Sequence, residues 1–173
     1  MITKITKIRA DGTYVFHIPT EKYTHNLDKA VKSFPIAKAL SGGDWAEDDE
    51  RVGYDYLDLT RLVTITGYVN INTWRSGGSG YPPTYAHDVI NELHKLFYEG
   101  GTTDYKASTV KLEILSGVGY TEGGIEILKW DPTVDVGAYP NKMQESVGPH
   151  DIDVNGIPKL YIVTMTFMRM KHY

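Results

Sequence analysis

The clearest pattern in the chain is the alternation in LTRLVTITGYVNI, residues 59–71. Val63, Ile65, Gly67, Val69 and Ile71 fall on one side, and Leu62, Thr64, Thr66, Tyr68 and Asn70 on the other. Successive side chains of a strand point to opposite faces, so this period of two predicts one long strand with a core face and a half-wet face. Gly67 in its centre predicts a bulge or a close approach of another backbone. A second long strand is expected in KLYIVTMTFMRMK, where Tyr161, Val163, Met165 and Phe167 share a face. Shorter strands are expected at Val110–Leu115 and Ile125–Trp130.

At the N-terminus, Ile2, Ile5 and Ile8 carry a helical spacing. Asp11-Gly12 followed by Thr13-Tyr14-Val15-Phe16-His17-Ile18 instead favours a β-hairpin, closed by Pro19. Residues 20–40 are ambiguous, a short helix around Leu27–Ser33 ended by Pro35 being one of two even readings. A period of 3.6 is clear in one place, PPTYAHDVINELHKLFYEGG, where Ala86, Val89, Ile90, Leu93, Leu96 and Phe97 form one apolar stripe. Thr84 is placed to cap this helix and Gly100-Gly101 to end it. A glycine-serine turn over Arg75–Gly80 precedes it. From Asp131 to about His150 a long polar loop is expected, with Pro132, Pro140 and Pro149 in it. Asn155-Gly156 then turns a hairpin between Asp151–Val154 and Ile157–Leu160.

Strands, one helix, then more strands predict a mainly β fold: an antiparallel β-sandwich or half-open barrel with one flanking helix at about 85–99. The 173 residues suit a single domain, 1–173, able to bury roughly two thirds of its unfolded surface. Within it lie an acidic loop or hairpin at about 41–58 and the long loop at about 131–150.

Composition narrows the function. A net charge of -4 argues against a nucleic-acid binder, and the absence of cysteine excludes disulfides, thiolate metal sites and a thiol nucleophile. MITKITKIRADG has no continuous apolar stretch of the signal-peptide kind, and no window has the length of apolar residues that a membrane span needs. Thirteen tyrosines against four phenylalanines suit half-wet strand surfaces and interfaces, where a hydroxyl stays hydrated. The charge is concentrated: Asp44, Glu47, Asp48, Asp49, Glu50, Asp55 and Asp58 against Arg51 alone give segment 44–58 a charge of -6, more negative than the whole chain. Carboxylates this dense are expected to be exposed and mutually repelling; they repel phosphate rather than act as a tuned acid–base pair.

Other patterns offer chemistry and fit structural roles better. SGVGYTEGG (116–124) has the glycines of a phosphate loop, but a strand follows it where a helix is needed, so a hairpin loop is expected. DIDVNG (151–156) opens like a calcium loop, yet its twelfth position is Ile162 and Pro158 interrupts it, so a β-turn is favoured. His87, Asn91 and His94 share one helix face without the HExxH spacing of a zinc site, and a solvated face is the simpler reading. No GxSxG elbow is present, and no catalytic residue, cofactor or metal is expected.

The order of LTRLVTITGYVNI, a loop, the helix YAHDVINELHKLFYEGG, two strands and the closing KLYIVTMTFMRM resembles the tail-tube proteins of tailed bacteriophages and their relatives in the distal tail and baseplate. The likeness covers about residues 59–130 and 157–170. It implies a non-enzymatic structural subunit of the virion tail, assembled in the host cytoplasm, whose partners are copies of itself in hexameric rings and other tail proteins. DNA would pass through the lumen without specific binding. The acidic residues Asp44, Glu47, Asp48, Asp49, Glu50, Asp55 and Asp58 would line the lumen or bridge rings, as loop 131–150 could. Thr64, Thr66 and Tyr68, or the edge of that strand or of the last one, would meet a neighbouring subunit. The alternative is a β-sandwich binding module for carbohydrate or a protein partner, with Trp45, Trp74 and Trp130 as a stacking platform. Core packing is the simpler expectation for those tryptophans.

Overall fold

The structure, a computed structural model, describes residues 1–9, 11–35, 51–77, 82–98, 109–117, 125–134 and 136–170. Its elements are strands β1 (Ile2–Arg9), β2 (Gly12–Pro35), β3 (Arg51–Val69), β4 (Trp74–Ser76), β5 (Lys111–Ser116), β6 (Ile125–Trp130), β7 (Gly137–Ser146) and β8 (Tyr161–Met170), with helix α1 (Ala86–Tyr98) between β4 and β5. The chain divides into two compact units, Met1–His25 with Leu62–Tyr173, and Asn26–Arg61.

In the larger unit the strands lie in the order β6-β5-β1-β2-β3-β8-β7, and β4 pairs beside β2. The pairs β1–β2, β1–β5, β5–β6, β2–β4, β3–β8 and β7–β8 are all antiparallel. Val110, just before β5, and Ala138 in β7 exchange two backbone hydrogen bonds of 2.8 and 2.9 Å. The sheet thereby curls until β5 and β7 meet at one point, while β6 continues beyond β5. Among the described residues this is the mainly antiparallel β fold with one helix that the patterning predicts, as sandwich or half-open barrel.

The interior is built from alternate residues of each strand. Ile5, Phe16, Ile18, Val63, Ile65, Val69, Leu112, Ile114, Val163, Met165 and Phe167 are fully buried. Helix α1 adds Ala86, Val89, Ile90, Leu93 and Leu96 from its predicted stripe, with Phe97 half-buried against them. Each large side chain so buried contributes about 1.5–3 kcal/mol relative to exposure. Gly67 is the close approach its sequence predicts: a Cβ there would lie 2.4 Å from the Pro19 carbonyl oxygen and 2.8 Å from Ile18 Cγ2.

The structure departs from the sequence reading at several places. Pro19 does not close its strand, because the Thr20 N–H donates to the Met1 carbonyl at 2.9 Å and the ladder to β1 continues past the proline. Leu27–Ser33 is strand, since β2 runs to Pro35 beside β3 and strand pairing overrides a weak helical preference. Ile71 leaves the core face and is half exposed: β3 ends at Val69, and the Asn70 side chain caps a 3-10 turn over Ile71–Thr73. α1 begins at Ala86, so its cap position is Tyr85, one residue beyond the expected Thr84, and Asp88 Oδ2 in the first turn accepts from the Tyr85 N–H at 3.0 Å. Within 131–150, expected as loop, Gly137–Ser146 forms β7. Its buried residues are confined to Gly137, Ala138 and Pro140, followed by exposed Asn141, Lys142, Gln144, Glu145 and Ser146, so no alternation marks it as a strand.

Candidate assembly surfaces

Three regions bear on the expected assembly: the acidic segment, the outer face of β3, and the outermost strands. Asp44, Glu47, Asp48, Asp49 and Glu50 lie outside the described residues. Asp55 and Asp58 lie in β3, within the smaller unit. The described residues of that unit are two strand segments, 26–35 of β2 and 51–61 of β3.

The outer face of β3 carries Thr64, Thr66 and Tyr68, all half-buried. Thr64 stands opposite Thr166 and Thr66 opposite Thr164. Their hydroxyls meet at 3.1 and 3.2 Å, a two-by-two threonine ladder across β3 and β8. The Tyr68 hydroxyl donates to Glu21 at 2.9 Å, and that hydrogen bond to a carboxylate raises the phenol's pKa. β3 lies between β2 and β8, and β8 between β3 and β7. Their edges are therefore occupied within the chain. The expectation that the edge of segment 59–71 or of the last strand meets a neighbour does not hold, and only their outer faces remain, half-exposed.

Among the described residues the open edges belong to β6 and β7, the ends of the strand order. Trp130 anchors β6, 3% exposed, 5.9 Å from the His25 ring in an edge-to-face contact. Ile125 and Ile127 on the same strand are 77% and 43% exposed. The sequence did contain a signal for this edge: a short apolar strand without proline, beside the glycine-rich segment 116–124.

The remaining sequence candidates take structural roles. His87 Nδ1 meets the Tyr161 hydroxyl at 3.3 Å and His94 Nε2 meets Glu145 at 2.8 Å, tying α1 to β8 and β7. Arg9 binds Glu92 at 3.0 Å, tying α1 to β1, while Asn91 is exposed. In DIDVNG, Asp153 Oδ1 accepts from the backbone N–H groups of Asn155 at 2.8 Å and Ile157 at 2.9 Å, and Gly156 has φ +78°. Those hydrogen bonds, Ile157's first, hold the Asp153 carboxyl below its ordinary pKa and fix a turn. Ser116 pairs with Ile125, so the glycine-rich segment joins two antiparallel strands; residues 118–124 lie outside the described ones. Trp74 packs edge-on against Tyr14 and Phe16 at 5.4 and 5.6 Å, and Trp130 is buried. Neither forms an exposed stacking platform, and Trp45 lies outside the described residues.

Groups with shifted pKa values are spread over separate elements. The largest effect on His17 in β2 is burial, which lowers its pKa. Burial alone would raise Asp131, but the Thr133 hydroxyl at 2.6 Å, the Thr133 N–H and Lys111 Nζ at 3.1 Å together hold it below its ordinary value. Among the described residues no three His, Asp or Glu side chains come together to hold a metal ion, and no helix is long and apolar enough to cross a membrane. Neither a scan against protein-family models nor a comparison with curated proteins gives a match.

Proposed function

We propose that the chain is a structural subunit of a tailed-phage tail, in the tail tube or the distal tail and baseplate, which assembles into rings around a DNA-conducting lumen. The observation that carries this reading is the composition of the smaller unit. Its described residues are the segments 26–35 of β2 and 51–61 of β3, and extended strands gain stability from a further strand or a packed face. Neighbouring copies in a closed ring supply that cover to every subunit at once. The acidic run 44–58 passes into β3 in this same unit, and an acidic lining lets DNA slide, because phosphate contacts are what make non-specific binding tight. Hexameric rings and other tail proteins are the partners this reading implies.

Negative-stain microscopy and native mass spectrometry of the concentrated protein test it. Rings or tubes, with masses at one fixed multiple of the subunit, are expected. A strictly monomeric protein at high concentration, with no rings or tubes, removes the reading.

A further inference from the structure

The two outermost strands do not offer equivalent edges. Ala138 bonds Val110 on the side of β7 away from β8. Alternation therefore turns Pro140 to that same open side, where it has no N–H to donate. A register shift between Pro140 and Lys142, and exposed Lys142 and Glu145, complete a guarded edge. β6 has no proline, has a strand neighbour on one side only among the described residues, and exposes Ile125 and Ile127. An open strand edge takes another strand as its complement.

The register of β6 on β5 says which strand. Trp130 stands opposite Leu112, Lys129 opposite Glu113 and Leu128 opposite Ile114; then a register shift leaves Ile127 extra, and Glu126 stands opposite Leu115 and Ile125 opposite Ser116. On β5, Leu112 and Ile114 face the interior, while Glu113 and Leu115 face out. The extra residue thus brings Lys129 and Glu126 to the same outer face, two rungs apart and flanking Leu128. Without it they would point to opposite faces. Counted in rungs, the strand reads Trp130, Lys129, Leu128, Glu126, Ile125: apolar, positive, apolar, negative, apolar. Reversing this order exchanges the charges and leaves the apolar positions apolar.

We propose that β6 pairs antiparallel with β6 of a second copy of this chain, about a two-fold axis at Leu128. Leu128 then faces its own mate, and Lys129 and Glu126 form two opposite-charge pairs with the mate's Glu126 and Lys129. The exposed Ile125 is set opposite the other copy's Trp130. Such a contact is isologous, the same patch on both partners. It needs no ring: β6 pairs in a chain that forms no rings leave it standing and remove the tail reading, and rings without β6 pairs do the reverse.

The chain has no cysteine, so single cysteines report the register directly. Glu126→Cys and Lys129→Cys, mixed under mild oxidation, are expected to cross-link with each other, and neither with itself. In sedimentation velocity, Glu126→Lys or Lys129→Glu each sets like charges against one another at both symmetry-related pairs. Each is expected to weaken dimerisation about tenfold, and the double exchange E126K/K129E to restore it. Both side chains are exposed, and unchanged circular dichroism shows that the variants fold. The inference is overturned if the wild type is monomeric throughout the concentration range, if neither single reversal weakens the dimer, or if the mixed cysteines do not link.

Discussion

β6 and β7 are the two ends of one strand order, and they expose opposite characters. β6 is six residues long, with an aromatic anchor buried at one end and an isoleucine 77% exposed at the other. β7 is ten residues long, latched to Val110 at its start and mostly polar and exposed from Asn141 on. The polar strand carries proline and charge where a foreign strand would dock. The apolar one carries neither proline nor a like-charge barrier against its own copy. A chain that guards one edge and leaves the other open is built to add a strand on one side only.

The largest expected effect separates the two faces of β6. Trp130→Ala removes the buried ring and should cost about 3–5 kcal/mol in chemical denaturation. Ile125→Ser on the same strand should stay within about 0.5 kcal/mol for the monomer, because that side chain is left in water. Equal costs would mean that Ile125 is covered within one chain. Next, Ala138→Pro deletes the N–H that donates to Val110 at 2.9 Å and unlatches β7 from β5, at about 1–3 kcal/mol in the same titration. An unchanged midpoint would show that the sheet does not close there.

These contrasts also show what the sequence could reveal. β6 matches its expected bounds, Ile125–Trp130, because its apolar residues lie beside a turn. The alternations in Val63–Val69 and Tyr161–Phe167 were legible because those strands bury one face. β7 was hidden because most of it faces water, and an edge strand guarded by Pro140, Lys142 and Glu145 has the composition of a loop. The partners of β3 could not be read either. Which strands flank Thr64 and Thr66 follows from a chain order that alternation does not encode, so an interior strand looked like a candidate edge. Proline misled twice: the missing N–H of Pro19 falls on the side away from β1, and that of Pro140 on the side away from β8, so neither ladder is broken.

A smaller effect concerns the residue just after β6. Asp131 is held below its ordinary value of 3.8, so its contribution to stability is present above that pH and is lost as pH falls through the folded value. Asp131→Asn should flatten the acid limb of a melting-temperature profile below about pH 4 and leave its slope near neutrality unchanged. An unaltered acid limb would show that other carboxylates set it. The smallest effect is expected at the guard: Pro140→Thr should change monomer stability by less than about 1 kcal/mol, yet increase concentration-dependent association by giving β7 back a donor. Light scattering that matches the wild type would mean that the proline does not protect this edge.

Hydrogen exchange read by mass spectrometry across a concentration series tests the central claim, that this chain assembles through its open strands, most directly. With rising concentration, amides of Ile125–Trp130 and of the strand segments 26–35 and 51–61 should slow their exchange, while those of the polar half of β7 keep one rate. Exchange in β6 and in both segments that stays the same at every concentration would contradict the account.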